Sequence, residues 1–321
     1  MKLDLTERML HLRQIPVAAM LPPTVVRMLA EALIPRTFRE GRVVLRQGTP
    51  ADAMFLLTEG TLALTKDAMP FGELRAPQTV GFLSILARQE TPYDAVAQVE
   101  TRAYELETDT LLDLFADHFP LYEATLRYFA ERLWFEFQDL PQEMLGFASI
   151  DLGPIPKRKI DLVEKVLYLR QMSGFATANV NALATMGRQL DEMRVPAGTE
   201  LWRQGDASGK VLFSVEGTIR CEAKGGRVFR YGAGTGVGGI EALADRPRWY
   251  HATAETDVVG FWGQPENLFD LFEHQQKMAM DFVCMLARAQ AGLLQRKAKL
   301  GHNPLAVARS AKKLGTVHYG A

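Results

Sequence analysis

The sequence predicts a mainly β protein with flanking helices (α+β), built as two jelly-roll-like domains in tandem. Three observations carry this reading. The 321 residues exceed one ordinary domain of about 150 and suit two. The chain repeats itself. Each copy sets short strand runs, punctuated by glycine, between stretches of helical periodicity.

The repeat begins with Glu7-Arg-Met-Leu-His-Leu-Arg-Gln14, which returns as Glu164-Lys-Val-Leu-Tyr-Leu-Arg-Gln171 at an offset of 157. The same offset pairs Gly41 with Gly198, Arg46-Gln47-Gly48 with Arg203-Gln204-Gly205, Glu59-Gly60-Thr61 with Glu216-Gly217-Thr218, and Gly81 with Gly238. Further on, Pro92 matches Pro247, and Glu100-Thr101 matches Glu255-Thr256, at an offset of 155. That change predicts two extra residues in the first copy between Gly81 and Pro92.

Each copy opens with a helix whose apolar positions include Leu10 and Leu12, or Leu167 and Leu169. A second helical patch follows, at Val25 to Leu33 or Val180 to Leu190. The predicted strands are 42–45, 54–57 and 62–64 in the first copy and 200–202, 211–213 and 218–221 in the second. A long amphipathic helix closes each copy, with Leu126, Phe129, Leu133 and Phe137, or Met278, Phe282, Met285 and Ala289, at three- and four-residue spacing. The predicted domains are therefore 1–146 and 157–300, joined by a Gly/Pro-containing linker at 147–156 and followed by a basic tail at 301–321.

Composition narrows the function classes. Hydrophobic residues at 47% and charged residues at 23% exclude a disordered or collagen-like chain. A formal net charge of -1 provides no global attraction to nucleic acid or to an anionic membrane. The two cysteines, Cys221 and Cys284, are too few for a disulfide framework or a four-cysteine zinc site and point to a reducing compartment. No run approaches the ~18 apolar residues of a membrane helix, so the expected location is the cytoplasm. There is no G-x-S-x-G, H-E-x-x-H or G-x-x-x-x-G-K-[ST], and the six histidines are scattered, which argues against catalysis and against a metal site. Gly234 to Gly239 spells G-x-G-x-x-G, but Pro247 stops the following segment after roughly two turns, too early for a dinucleotide-binding βαβ unit.

The order helix, strand, glycine turn, strand, Gln-Gly, apolar strand, Glu-Gly-Thr resembles the cyclic-nucleotide-binding domain of catabolite activator proteins and protein-kinase regulatory subunits. The match is carried by Val195 to Asp206, Val211 to Gly217 and Gly238 to Ala254. In that family a cyclic phosphate sits against backbone N–H groups at the start of a short helix, an arginine pairs with it, and a glutamate accepts from the ribose. The resemblance implies a second-copy site of Gly238, Gly239, Ile240, Glu241, Ala242, Leu243, Arg248 and Trp249, with Gly239 where the family has its glutamate. Glu241 lies two residues later and within plausible reach of the same hydroxyl. An alternative role for Arg248 is structural, stacked on an aromatic or paired with Asp245. In the first copy Gly81, Phe82, Leu83 and Tyr93 mark a degenerate site, with Phe82 at the glutamate position and Tyr93 at the arginine position.

These readings converge on a bacterial, cytoplasmic, non-enzymatic sensor. The resemblance implies cAMP or cGMP as ligand of the second domain, with no other cofactor. The partner is an unidentified protein effector, with a homodimer through the long helices as a further expectation, and neither nucleic acid nor membrane is expected. The alternative is a ligand-independent adaptor whose two degenerate folds serve protein contact.

Overall fold

The computed structural model describes residues 5–300. In the first copy α1 (Leu5–Leu12), α2 (Pro16–Ala19) and α3 (Pro23–Ala32) precede β1 (Ile34–Phe38), β2 (Val43–Leu45), β3 (Ala53–Glu59), β4 (Thr61–Lys66), β5 (Met69–Arg75) and β6 (Gln78–Val80). The short helix α4 (Phe82–Ala87) leads into β7 (Asp94–Ala97) and β8 (Thr101–Glu107), then α5 (Thr108–Asp117) and α6 (Phe119–Gln138). A two-residue strand, β9 (Phe147–Ala148), follows. The second copy runs α7 (Leu162–Gln171), α8 (Val180–Gln189), β10 (Asp191–Val195), β11 (Glu200–Trp202), β12 (Val211–Glu216), β13 (Ile219–Ala223), β14 (Arg227–Tyr231) and β15 (Thr235–Val237). It ends with α9 (Gly239–Ala244), β16 (Tyr250–Ala254), β17 (Val258–Gly263), α10 (Pro265–His274) and α11 (Gln276–Lys299). The tail at 301–321 lies outside the described residues.

Each copy folds two mainly antiparallel sheets against each other as a jelly roll. The orders are β1-β8-β3-β6 and β2-β7-β4-β5 in the first, and β10-β17-β12-β15 and β11-β16-β13-β14-β9 in the second. Alternation along the strands decides which face is buried: Ile219, Cys221 and Ala223 turn inward from β13 while Arg220 and Glu222 turn outward. Internal contacts group the described chain into two compact units, 5–124 with 287–300, and 125–286. The unit boundaries fall inside α6 and α11, so they differ from the repeat boundaries drawn from sequence.

Three expectations are corrected. First, the two copies keep the offset of 157 throughout. Leu64 pairs with Ala95 as Cys221 pairs with Ala252, and Phe38 pairs with Thr101 as Val195 pairs with Val258. The first copy has no extra residues, and the Pro92–Pro247 match joins positions that are not structurally equivalent. Second, Leu10 and Leu167 are exposed while Leu12 and Leu169 are buried, because helix positions two apart point to nearly opposite sides. Third, Met278 and Phe282 are buried as expected, but Ala289 is exposed, and the buried face of α11 also takes in Ala279, Val283, Leu286 and Gln290. The linker is bound to the second unit: β9 adds in parallel to β14, and the Ile150 N–H donates to the Ala233 carbonyl at 2.9 Å.

Equivalent cations tie the opening helix of each copy to the end of the next long one. Arg8 Nη1 donates to the carbonyls of Ala30 and Leu33, and Lys165 Nζ donates to those of Gly187 and Leu190. These carbonyls are left over at a helix C-terminus, where a cation also meets the negative end of the helix dipole.

Candidate functional site

In the second unit α9 follows a glycine in the left-handed region, Gly238 at φ +74°. Only a residue without Cβ fits here, because a side-chain carbon would collide with the Arg248 guanidinium. Arg248 Nη1 donates to the Gly238 carbonyl at 2.8 Å, and Nη2 donates to the Lys210 carbonyl. The guanidinium carbon lies 4.3 Å from the centre of the Trp202 ring. Arg248 is 4% exposed and, although it is a full cation, its hydrogen bonds go to backbone carbonyls. Its aromatic partner is therefore Trp202, and Asp245 stands exposed at the left-handed end of α9.

Glu241 is 2% exposed. Burial pushes its carboxyl up to about 7, against the pull of its backbone hydrogen bond, the nearby Arg248 charge and a hydrogen bond with the Trp249 side chain. Cys221, Tyr231 and Tyr250 face the same carboxylate, and burial raises all three above their ordinary values. Four buried polar atoms in this one neighbourhood lack a hydrogen-bond partner: Trp202 Nε1, Glu241 Oε1, Arg248 Nε and the Tyr250 hydroxyl. Such atoms are rare in native folds, and a cluster of them marks a place where a polar guest or water completes the network.

The rest of the neighbourhood is aromatic. Trp249 is stacked between Phe229, at 5.1 Å and 10°, and Phe137 from α6, at 6.2 Å and 15°. Trp134 Nε1 on the same helix donates to the Pro247 carbonyl at 3.0 Å, and Glu131 pairs with Arg246. Residues 125–138 of α6 thus hold the chain on both sides of Arg248. Of the residues predicted from sequence, Glu241, Arg248 and Trp249 come together in the core of the unit, beside Gly238. Ala242 and Leu243 are buried on the inner side of α9, and Gly239 and Ile240 are half-buried in its first turn. Sequence reading missed Trp202 and Tyr231. Both belong to strands distant in sequence, and the one available signal was the inward parity of their strand positions.

In the first unit Gly81, at φ +91°, precedes α4, with Phe82 and Leu83 half-buried in its first turn. Tyr93 is corrected as the counterpart of Arg248. The Gly48 N–H donates to the Thr91 carbonyl as the Gly205 N–H donates to the Arg248 carbonyl, so the equivalent position is Thr91. Tyr93 is the counterpart of Tyr250; it rests on Phe71 at 5.4 Å, and burial pushes its phenol up to about 12. Thr91 is buried with an unpartnered hydroxyl, and Ser84, buried in α4, stands where the second unit has Glu241. From α11, Arg288 Nε caps the last carbonyl of α4, that of Ala87, at 2.8 Å. The G-x-G-x-x-G run forms β15 and the start of a six-residue helix, and Gly234 makes room for Ile150. Among the described residues no group of three His, Cys, Asp or Glu side chains is arranged to hold a metal, and no helix is long and apolar enough to cross a membrane.

Residues 35–118 match the family described as the cyclic nucleotide-binding domain. Among curated proteins, the chain is 28% identical over 123 residues to lysophospholipase nte1 of Emericella nidulans, covering 36% of this chain and 8% of that protein. It is 40% identical over 42 residues to a cAMP-dependent protein kinase regulatory subunit of Dictyostelium discoideum, covering 13% of each. The chain therefore spans only a small part of either relative. Among solved structures, the regulatory subunit of a cAMP-independent protein kinase A from Trypanosoma brucei is similar at 14% identity and a TM-score of 0.36, covering 85% of this chain and 92% of that one. The regulatory domain of Toxoplasma gondii protein kinase A, crystallised with cAMP, is similar at 14% identity and a TM-score of 0.35, covering 89% and 98%.

Proposed function

We propose, from the match of residues 35–118 to the cyclic nucleotide-binding domain family and the recurrence of that segment as the second copy, a non-enzymatic, cytoplasmic regulatory protein whose second unit binds a cyclic nucleotide or a related phosphorylated small molecule. The observation that carries the reading is the cluster of unpartnered polar atoms around the buried Arg248 cation. A desolvated guanidinium whose hydrogen bonds go to backbone carbonyls gains strongly from an anion, and a phosphate is the anion it fits best. Gly238, Gly239, Ile240, Glu241, Ala242 and Leu243 supply the turn and backbone beside it, while Trp202, Trp249 and Tyr250 supply ring faces and donors. The first unit, with Ser84 and Thr91 in place of Glu241 and Arg248, has no cation at these two positions and serves as scaffold.

Occupancy at Arg248 has a direct way out of the site. Pro247 and Trp249, the residues on either side, are held by Trp134 and Phe137 of α6. An anion that draws the guanidinium from the Gly238 carbonyl shifts this segment and with it the grip on the helix, so affinity for a protein partner would follow ligand preference for one helix position. A partner protein or a second copy docking on the long helices would read that change.

Isothermal titration with cyclic AMP and cyclic GMP tests the site. Binding at one site per chain, lost in Arg248→Ala while the melting transition stays cooperative, is the expected result. The alternative reading, a ligand-independent adaptor, is favoured by the Phe137–Trp249–Phe229 stack, which fills the unit with its own rings. Absence of binding by both nucleotides, with no gain on Trp249→Ala, would make the adaptor the working description.

A further inference from the structure

Equivalent sheet edges of the two units are covered differently. In the second unit β14 is not the last strand of its sheet: β9 lies outside it, in parallel. The Arg230 N–H donates to the Gly146 carbonyl at 3.3 Å, the Gly232 N–H to that of Ala148 at 2.8 Å, and the Ile150 N–H to that of Ala233 at 2.9 Å. In the first unit the counterpart of β14 is β5, since Leu62 pairs with Leu74 as Ile219 pairs with Tyr231. Among the described residues β5 ends its sheet. By the alternation of an antiparallel ladder, the backbone of Glu73 and Arg75 faces away from β4, as that of Arg230 and Gly232 faces away from β13. Both residues are exposed, and their side chains pair with each other at 2.5 Å. An edge of this kind is a template for one more strand.

The repeat names the strand that fits. β9 follows α6, and α6 and α11 start at the same position of the repeat, Phe119 and Gln276. Glu131 of α6 pairs with Arg246 just after α9; Arg288 of α11, at the same repeat position, donates to the last carbonyl of α4. Residues 287–299 of α11 thus run past α4 within the first unit as residues 125–138 of α6 run past α9 within the second. The offset of 157 then carries Gly146-Phe-Ala-Ser-Ile150 onto Asn303-Pro-Leu-Ala-Val307, which lies outside the described residues. Both segments open on a turn-forming residue and end on a branched aliphatic one. Pro304 falls at the position of Phe147. The carbonyls of Gly146 and Ala148 face β14, so the Phe147 N–H points away, and the one residue unable to donate sits where the ladder asks for no donor.

We propose that residues 303–307 add to β5 as a parallel strand, covering the edge of the first unit as β9 covers that of the second. The inference is independent of the reading of Arg248. The pairing it specifies is Glu73 N–H to the Asn303 carbonyl, Leu305 N–H to the Glu73 carbonyl, Arg75 N–H to the Leu305 carbonyl and Val307 N–H to the Ala76 carbonyl. Pro77 stands where Gly234 makes room for Ile150, and the residue opposite it is the smaller Val307. Two clamps of the second unit have no equivalent. Arg227 donates there to the carbonyls of Gln138 and Leu140, and the Gln142 side chain bonds both the N–H and the carbonyl of Val228. At these positions the first copy has Pro70, which has no side-chain donor, and the chain has Lys299 of α11. The added strand of the first unit is therefore held by its backbone ladder, and a partner strand entering at β5 has to displace it.

Hydrogen exchange of the full chain, resolved to single amides, tests this. In the wild type the Glu73 and Arg75 amides are expected to exchange about tenfold more slowly than in Leu305→Pro, which removes a ladder donor and with it the pairing. Ala306→Pro is expected to keep the protection, because the N–H at that position, like that of Ser149, points away from the edge. The Arg230 and Gly232 amides, under β9, are the control and stay slow in all three proteins. Equal exchange at Glu73 and Arg75 in all three overturns the proposal. Loss of protection in Ala306→Pro, whatever Leu305→Pro does, overturns the register and the repeat argument behind it. Protection that falls on dilution of the wild type means that the strand comes from a second copy, and overturns closure within one chain.

Discussion

At one structural position the first unit carries Thr91 and the second Arg248; seven residues earlier, in the short helix, the pair is Ser84 against Glu241. Both sets are buried. The backbone around them is the same, with Gly48 and Gly205 donating to the carbonyls of Thr91 and Arg248 and with a positive-φ glycine before each short helix. The two sites therefore differ by a coordinated exchange of two hydroxyls for a carboxylate and a guanidinium. The glycines and turns are common to both units and belong to the fold, whereas the charged residues are confined to the second. Burying a carboxylate and a guanidinium costs desolvation that two hydroxyls largely avoid, so the second unit bears a penalty at these positions that the first does not.

The sharpest way to break the comparison is to move the hydroxyl pair into the second unit. Arg248→Thr alone strands Glu241 in a buried site without its cation, and at pH about 8 the expected loss is about 3–5 kcal/mol. Glu241→Ser with Arg248→Thr removes both charges together. The double variant is expected to be more stable than the sum of the two single losses by on the order of 2 kcal/mol, read by urea unfolding of all four proteins. Simple additivity would mean that the two side chains are independent and that the comparison is superficial.

Much of the fold is legible in the residues. The repeat fixes the two copies, and the positive-φ glycines at 41, 60, 81, 198, 217 and 238 mark turns that fall at matching places. Arg248 was legible through the resemblance to the cyclic-nucleotide-binding domain, which implies an arginine shortly after the short helix. What sequence could not resolve was alignment where the copies diverge. Identical residues drew Pro92 to Pro247, while the sheet ladders align Thr91 with Arg248. Identity at single positions is a weak signal there, and hydrogen-bond register is decided by strand pairing across the barrel. The stacking of Trp202 on Arg248 was illegible for a similar reason, since 46 positions separate them and only the closed barrel brings them together.

A second test sharpens the charge difference through pH. Glu241 ionises near 7 in the folded protein and near 4.5 when unfolded, so the folded state holds the proton more tightly. Its contribution is full below the unfolded value and lost as pH rises through the folded one. For this buried group the loss between pH about 5 and about 8 is on the order of 3 kcal/mol. Wild-type melting should fall over that interval relative to Glu241→Gln, which lacks the titration. Ser84, its counterpart, does not ionise, so Ser84→Ala should leave the pH profile of the wild type unchanged. Parallel melting curves for wild type and Glu241→Gln would show that the carboxylate is better solvated than its 2% exposure implies.

The smallest expected effect concerns a feature the two units share. Arg8 and Lys165 occupy one position, and each donates to two carbonyls at the end of the helix packed beside it. Lys165 is buried and Arg8 is half-exposed, so water can replace the arginine's bonds more readily than the lysine's. Replacing either by methionine keeps most of the apolar stem and removes the donors. Lys165→Met is expected to cost about 2 kcal/mol and Arg8→Met about 1 kcal/mol, measured by chemical unfolding. Equal losses would imply that the dipole of the helix end, common to both, sets the energy. An order reversed from this one would mean that desolvation of the buried ammonium already offsets its hydrogen bonds, and that the second unit tolerates its buried cations at a standing cost which the first unit avoids.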